Sequence, residues 1–551
     1  MLRCENIVVR AGGQGPMILR GATAEFLDGG LNAVIGPSGC GKTTLMKAIL
    51  GILPSEGDAY YGDTKIGSSK DLVGRVGFAP QFSIAQPRLT VEESIRFTLQ
   101  LNVADTQEQQ SRLENILKTI GLSEHREKRV ESLSGGQLRR LGLGLELTLD
   151  PHCLVCDEVT SGLDPLSEDQ ILALLRSLSE RDGKSFICII HNLAKLELFD
   201  RVTVVYEGDV VFQGNNEELC AYFEIPDALH LYDLLNQHEL SYWQEKWKVA
   251  KGQLVNPEPS APPEPTEARP GLLAQLVTLL ARRGLLFFRD TGYLGLTLAI
   301  TFGFPCLVVI FALDGLPQIE SMGFQQSGDL VRQLVDSVAI KVENMQTASL
   351  VTGLIMFQVI LLTLMGSNNG AREIAAERII YEKERLSGLS VGAYAMSKLI
   401  FVGLLAALQG VWMTFFVKII CHFPGPWLWQ IAVLAAVCVS MTFVCLGFSA
   451  LFRSAEKASL LSIYLVGFQL PLSGVVLALP DYLVWICRPF INGYWGWAGY
   501  MNSMIDSRIY DAYRDMNADW ISRPDLAIAV LALQGMVGIA MVVVGCRKSQ
   551  W

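Results

Sequence analysis

The chain has no surplus of basic charge: 45 Lys and Arg against 55 Asp and Glu leave a formal −10 at pH 7, so it lacks the electrostatic footprint of a nucleic-acid partner. It has no dense cysteine framework either. Its twelve cysteines are scattered, several inside apolar stretches, unlike the staples of a small secreted domain, and they are expected to be reduced, buried and inert. The opening residues Met1-Leu2-Arg3-Cys4-Glu5-Asn6 lack the charged-then-apolar pattern of a signal peptide, so the first half is expected to stay in the cytoplasm. No segment long enough for lipid occurs before about residue 293. What the chain has instead is apolar material. At 50% hydrophobic residues and mean hydropathy +0.32 over 551 residues, it exceeds an ordinary soluble enzyme; part of it belongs in lipid, and its length allows two to four domains.

A glycine-rich loop, Gly36-Pro37-Ser38-Gly39-Cys40-Gly41-Lys42-Thr43, follows the apolar run Leu31–Ile35 and opens a helix-like run from Thr44 to Leu50. This is the pattern of a P-loop. Glycines let backbone N–H groups turn inward around phosphate, and a helix N-terminus adds partial positive charge. Lys42 would reach the β- and γ-phosphates and the Thr43 hydroxyl would take one position on Mg²⁺. Around it, residues 1 to about 215 alternate short apolar runs with helical stretches, the signature of an α/β domain with a central sheet. The candidate core strands are 31–35, 153–156, 185–190 and 201–206, with the motifs at their ends. Gln81 follows Val76-Gly77-Phe78-Ala79-Pro80. Leu133-Ser134-Gly135-Gly136-Gln137 reads either as a helix N-cap and turn or as a second set of N–H donors for phosphate. Asp157 and Glu158 end a buried run, Asp157 suited to Mg²⁺ and Glu158 to polarising water. Cys153 and Cys156 form a C-x-x-C, but side chains three apart on a strand diverge and no second pair stands at zinc-finger spacing, so a metal reading is rejected. Thr160-Ser161-Gly162-Leu163-Asp164-Pro165 continues as a loop, and Phe186-Ile187-Cys188-Ile189-Ile190 ends in His191.

Taken in order, the P-loop, Gln81, Leu-Ser-Gly-Gly-Gln, Asp157-Glu158, Ser-Gly-Leu-Asp and His191 resemble the nucleotide-binding domain of ABC transporters. The resemblance implies ATP and Mg²⁺ as ligands, held by residues 36–43 with Thr44. It implies that Thr43, Asp157 and Gln81 serve the metal, that Gln81 also senses the lytic water, that Glu158 is the catalytic carboxylate, and that His191 contacts the γ-phosphate. Ser134, Gly135, Gly136 and Gln137 would close on the ATP of an opposing subunit, with Asp164 at the dimer seam. One departure is visible: Val9-Arg10-Ala11-Gly12-Gly13-Gln14-Gly15 has no aromatic to stack on adenine, so other contacts must hold the base.

From 255 to 270 repeated proline and charge defeat helix and sheet alike, which marks a linker. Residues 272–289 mix leucines with Arg282, Arg283 and Arg289 and suit a helix along the membrane interface. A hydrocarbon core of about 30 Å needs roughly 20 apolar residues, and that rule places spans at 293–313, 348–369, 397–417, 429–451, 459–479 and 525–546. Six spans put both termini on one side. Arg372, Arg378, Lys383, Arg385 and Lys398, then Arg453 and Lys457, then Arg547 and Lys548, assign that side to the cytoplasm. Residues 481–524 would be an external loop, and its Trp485, Tyr494, Trp495, Trp497 and Tyr500 suit a membrane–water boundary. The polar, charged residues 314–347 read as an external gate, a partner site or, the preferred reading, a longer external loop.

Glu377-Arg378, Lys383-Glu384-Arg385-Leu386-Ser387-Gly388-Leu389-Ser390, Ala393-Tyr394 and Lys398 look like the cytoplasmic segment between the second and third spans of White-type, G-subfamily ABC half-transporters. The passage from Leu479-Pro480 through 482–486 to Tyr494 is similar to theirs as well. The organisation implied is an α/β P-loop ABC ATPase domain at 1–235, a connector and Pro/Glu-rich linker at 236–270, an interfacial amphipathic helix at 271–292, and an all-α membrane domain of six helices at 293–551. In that family the second and fifth spans line a central cavity, which makes Phe357, Gln358, Phe468 and Gln469 the expected substrate contacts. Amides inside spans, Gln409 and Gln534 included, otherwise serve interhelical hydrogen bonds. No ionisable residue falls near the middle of a span, which favours an apolar or amphipathic cargo over a proton-coupled path. The reading is an ATP-driven exporter half-molecule embedded in membrane lipid and paired with a second, most simply identical, subunit, without nucleic acid. The alternative is an ABC complex that signals across the membrane without transport.

Overall fold

The computed structural model describes residues 1–13, 15–81, 84–251, 269–312, 330–477, 479–516 and 520–548. Gln14, linker residues 255–268 and the 314–329 part of the expected external loop lie outside that set. The chain divides into two compact units: Met1–Thr278 with Ile379–Ser390, and Leu279–Arg378 with Val391–Gln550. The helix Leu272–Arg289 contributes its first turns to one and the remainder to the other.

Among the described residues the first unit holds ten strands. β1 (Leu2–Arg10), β2 (Met17–Glu25), β4 (Glu56–Tyr61) and β5 (Thr64–Lys65) make an antiparallel sheet in the order β2-β1-β4-β5. β3 (Leu31–Ile35), β6 (Val76–Ala79), β7 (Cys153–Asp157), β8 (Ser185–Ile189), β9 (Arg201–Tyr206) and β10 (Asp209–Gly214) form the larger sheet, ordered β10-β9-β3-β8-β7-β6 and parallel except for the β9–β10 pair. Every residue of β3, β7 and β8 is buried. Interior parallel strands are covered on both faces and so read as unbroken apolar runs, which is why these were recognisable from sequence. A separate apolar cluster joins the helices Val91–Asn102, Thr106–Thr119 and Gly135–Glu146. The 379–390 stretch belongs to this unit: Lys383 Nζ stands 2.8 Å from Glu146 Oε1, both nearly buried, and the Ser390 N–H donates to Gln275 Oε1 at 3.0 Å.

In the second unit, five helices among the described residues are long and apolar enough to cross a membrane. They lie in Thr291–Ile310, Leu330–Gly370, Val391–Cys421, Trp427–Leu451 and Pro524–Arg547. Three expectations are corrected here. The 459–479 span is not one helix: Ala455–Gly467 has 13 residues, about 20 Å at 1.5 Å per residue and short of the hydrocarbon core. Pro471 then opens a short 3₁₀ turn ending at Gly474, φ 71°. Residues 330–347 are not loop but the leading turns of the 41-residue helix Leu330–Gly370. Finally, 481–524 contains the helices Asp481–Cys487, Asn492–Asn502 and Arg508–Met516. Residues 492–501 are buried throughout, so Tyr494, Trp495, Trp497 and Tyr500 pack in the core, while Trp485 is 82% exposed. Close approach explains the burial: a Cβ on Gly496 would meet Val437 at 2.4 Å and one on Gly499 would meet Ala527 at 2.8 Å. Bare backbone on that face lets the helix nest among its neighbours.

Two charged devices brace this unit. Arg283 grips Glu373 through both Nε and Nη2, at 2.6 and 2.7 Å, and Lys398 donates to Glu373 at 3.0 Å and also to Glu377. Arg378 donates to Ala450 O at 3.1 Å, Gly545 O at 2.9 Å and Lys548 O at 2.8 Å. Its guanidinium thus satisfies terminal carbonyls of two helices, where positive charge opposes the partial negative end of each.

Candidate nucleotide site

The phosphate loop begins where β3 ends. At Gly36 (φ 153°) a Cβ would sit 2.0 Å from Val205 O, and at Gly41 (φ 102°) one would sit 2.9 Å from Leu19 Cδ2. Only glycine allows both the backbone angles and the approach. Gly41 caps the helix Lys42–Ile49 without a side-chain oxygen, which leaves that helix's first N–H groups free to serve a ligand. Lys42 is nearly buried, and its ammonium donates to Gly36 O at 2.8 Å and Pro37 O at 3.0 Å. Burial pushes the neighbouring Cys40 thiol up, against the opposing pull of Lys42.

Next to the loop, Thr43 Oγ1 donates to Asp157 Oδ1 at 2.9 Å. Burial at the end of β7 raises the Asp157 carboxyl above its usual range, while the Thr43 hydrogen bond, Lys47 and Lys42 pull it down. These adjacent hard oxygen donors fit Mg²⁺, a cation that takes few protein ligands. Glu158, one residue past the strand, adopts φ 51°. Such strain persists where surrounding contacts over-determine a conformation, and here they do: Gln81 Nε2 donates to Glu158 Oε2 at 2.7 Å, and His191 Nε2 lies 2.6 Å from Glu158 Oε1. Three residues 77 and 33 positions apart in sequence meet at one carboxylate.

A second group assembles separately. Ser134 caps the helix Gly135–Glu146 and exchanges hydrogen bonds with Gln137. A Cβ on Gly136 would reach Ser167 Oγ at 2.7 Å, so this cap packs against the start of the helix Pro165–Asp182. There Asp164 accepts from the Ser167 N–H and hydroxyl, at 3.0 and 2.7 Å, and these bonds hold its carboxyl below the ordinary value. Among the described residues, the side-chain bonds of Ser134, Gln137 and Asp164 are local; none ties them to the phosphate loop.

In the membrane unit the four amides are engaged. Gln358 Nε2 donates to Met413 O at 3.4 Å; Gln409 donates to Thr301 at 3.0 Å and accepts from Asn369 at 2.7 Å; Gln534 donates to Pro489 O at 2.7 Å. Gln469 accepts from the Gly493 N–H at 2.9 Å and donates to Leu465 O at 3.2 Å. Gln358 and Gln469 are fully buried, Phe357 is half-buried against Phe311, and Phe468 is 55% exposed. Two contacts carried no legible signal: Lys383 on Glu146, and Tyr232, whose hydroxyl accepts from the Gly36 N–H at 3.2 Å.

A phosphate loop on a parallel sheet, a threonine–aspartate pair beside it and a carboxylate held by glutamine and histidine define a P-loop ATPase. The family model described as "ABC transporter" matches residues 19–161, and that described as "ABC-2 type transporter" matches residues 274–505. The chain is 26% identical over 485 residues to an ABC transporter ATP-binding/permease protein of Mycobacterium tuberculosis, covering 83% of this chain and 52% of that one. It is 35% identical over 218 residues to ABC transporter G family member 26 of Arabidopsis thaliana, covering 37% of this chain and 31% of the plant protein. The chain therefore spans about half or less of the length of these two relatives. It is also 32% identical to an energy-coupling factor transporter ATP-binding protein, EcfA1, of Thermotoga maritima, over 43% of this chain and 93% of that one. The chain belongs to the ABC transporter family: an ATP-binding ABC ATPase domain followed by an ABC-2 type domain of several apolar helices, in a multi-pass membrane protein.

Proposed function

We propose that the chain is a half-transporter that uses ATP hydrolysis to move a hydrophobic or amphipathic molecule, lipid or drug-like, out across a membrane as a dimer. The observation that carries this reading is the convergence of Gln81 and His191 on Glu158 beside the Thr43–Asp157 pair. Lys42 leaves its carbonyl contacts for the β- and γ-phosphates of ATP. Thr43 and Asp157, with Gln81, would hold Mg²⁺, which neutralises charge on the transferring phosphate. Glu158 takes a proton from the attacking water, Gln81 orients that water, and His191 meets the γ-phosphate.

The local, outward group of Ser134 to Gln137 with Asp164 serves the ATP of a second subunit, most simply an identical chain. Two ATP-loaded domains closing on each other would bear on the 372–396 segment. The Lys383–Glu146 pair, which joins part of that segment to the helix carrying Ser134 at its cap, supports this route. The ATPase domain and that segment lie on the cytoplasmic side, and exposed Phe468 with half-buried Phe357 faces the cargo path.

Phosphate release by the purified chain tests the reading. Turnover is expected to require Mg²⁺ and to stop with EDTA; ATP turnover that persists in excess EDTA would remove the Thr43–Asp157 pair from its role.

A further inference from the structure

We infer that Tyr232 is a positioning residue of the phosphate loop, holding the Gly36 peptide in place through its hydroxyl. This rests on the ATP-site reading above and adds a residue to it. Tyr232 lies in the short helix Leu231–Leu235, 196 positions beyond Gly36. At Gly36 the chain leaves the ladder between β3 and β9, whose last paired residues are Ile35 and Val204. β9 presses on it so closely that a Cβ would stand 2.0 Å from Val205 O. The Gly36 N–H therefore turns away from the sheet and needs an acceptor, because a buried backbone donor left unpaired is costly. The Tyr232 hydroxyl supplies one at 3.2 Å. Pro37 follows and has no N–H of its own, so Gly36 provides the last backbone donor before Ser38.

The opposite end of the same residue is held by Lys42, which donates to Gly36 O and Pro37 O. In the proposed cycle Lys42 departs for phosphate, and Tyr232 is the side-chain contact that stays. Its ring packs against the apolar cluster behind the loop, and burial keeps the hydroxyl above its ordinary range, hence neutral. A nearby tyrosine provides an internal control: Tyr222 packs on the same cluster, but its buried hydroxyl has no hydrogen-bond partner among the described residues.

The test compares Tyr232→Phe and Tyr222→Phe in the full chain, purified in lipid nanodiscs, by the affinity for trinitrophenyl-ATP, by KM and kcat for MgATP, and by Tm. Tyr232→Phe is expected to weaken nucleotide affinity and raise KM about tenfold, because the loop loses the contact that holds Gly36 once Lys42 turns to phosphate, with kcat within about twofold of the parent and Tm lowered by no more than a few degrees by the unpaired Gly36 donor. Tyr222→Phe is expected to change none of these. Affinity within twofold of the parent for Tyr232→Phe, or an equal loss in both variants, would overturn the assignment. A parent chain that binds the nucleotide but never hydrolyses ATP would instead sink the proposed function, and the affinity comparison would still judge Tyr232.

Discussion

Replacing Glu158 by glutamine is expected to lower ATP turnover by roughly 10²–10⁴-fold, the usual contribution of a placed general base, while ATP still binds. The change is nearly isosteric, so the carbonyl oxygen can keep the hydrogen bond from Gln81 Nε2, now 2.7 Å from Glu158 Oε2. What disappears is the capacity to take a proton from water. The phosphate loop, Lys42 and the Thr43–Asp157 pair are untouched, so binding survives and nucleotide accumulates unhydrolysed on the protein. Radiolabelled ATP retained by the variant, with phosphate release followed in parallel, measures both halves. Undiminished release would remove Glu158 from the chemistry; loss of binding together with turnover would mean the substitution had disturbed the loop.

The second large effect concerns the dimer. In the proposed dimer, Lys42→Ala would remove the phosphate contact from one face of each ATP site, and Ser134→Arg would block the face contributed by the other chain. Either variant alone has two defective sites and should be inactive. A mixed dimer, isolated through two different affinity tags, contains one doubly defective site and one site built entirely from unaltered residues. It should therefore recover up to about half the activity of the parent dimer, as two-fold symmetry with shared sites requires. If each chain completed its own site, the mixed preparation would be as inactive as its components. The structure motivates the experiment because, among the described residues, the side-chain hydrogen bonds of Ser134 and Gln137 stay within their own helix cap, whereas the Gln81–Glu158–His191 group is already assembled within one chain.

The nucleotide site was legible because each part is a short stretch whose residue types state their chemistry. The order of those stretches resembles one family, and the central strands that present them are unbroken apolar runs. Contacts made by tertiary packing were not legible. Tyr232 has nothing around it in sequence to distinguish it from Tyr222, and only the fold brings its hydroxyl to Gly36. Nor does Arg378 announce that it will bind Ala450, Gly545 and Lys548, although the resemblance had marked the Glu377-Arg378 pair.

In the membrane domain, hydropathy summed over 459–479 passes smoothly across Pro471, so one window covers both the short helix and the turn that ends it. At residues 330–347 the structure departs from the sequence expectation for the opposite reason. Their polarity suggested a loop, yet polarity does not prevent a helix, and Leu330–Gly370 continues through them. Aromatic content alone likewise placed Tyr494, Trp495, Trp497 and Tyr500 at an interface. The spacing of Gly493, Gly496 and Gly499, which lets the helix sink into the core, was the signal that could have found their true position.

The measurement that tests the central claim most directly is ATP-driven movement in sealed proteoliposomes. With the ATPase domains facing outward, Mg²⁺ and ATP are added and a fluorescent phospholipid or amphipathic dye is followed across the bilayer. The account predicts net movement of the probe away from the side of the ATPase domains, dependent on ATP and absent with Glu158→Gln. Full ATP hydrolysis with no movement of any lipid or amphipathic probe would contradict it and favour an ATPase that signals across the membrane instead.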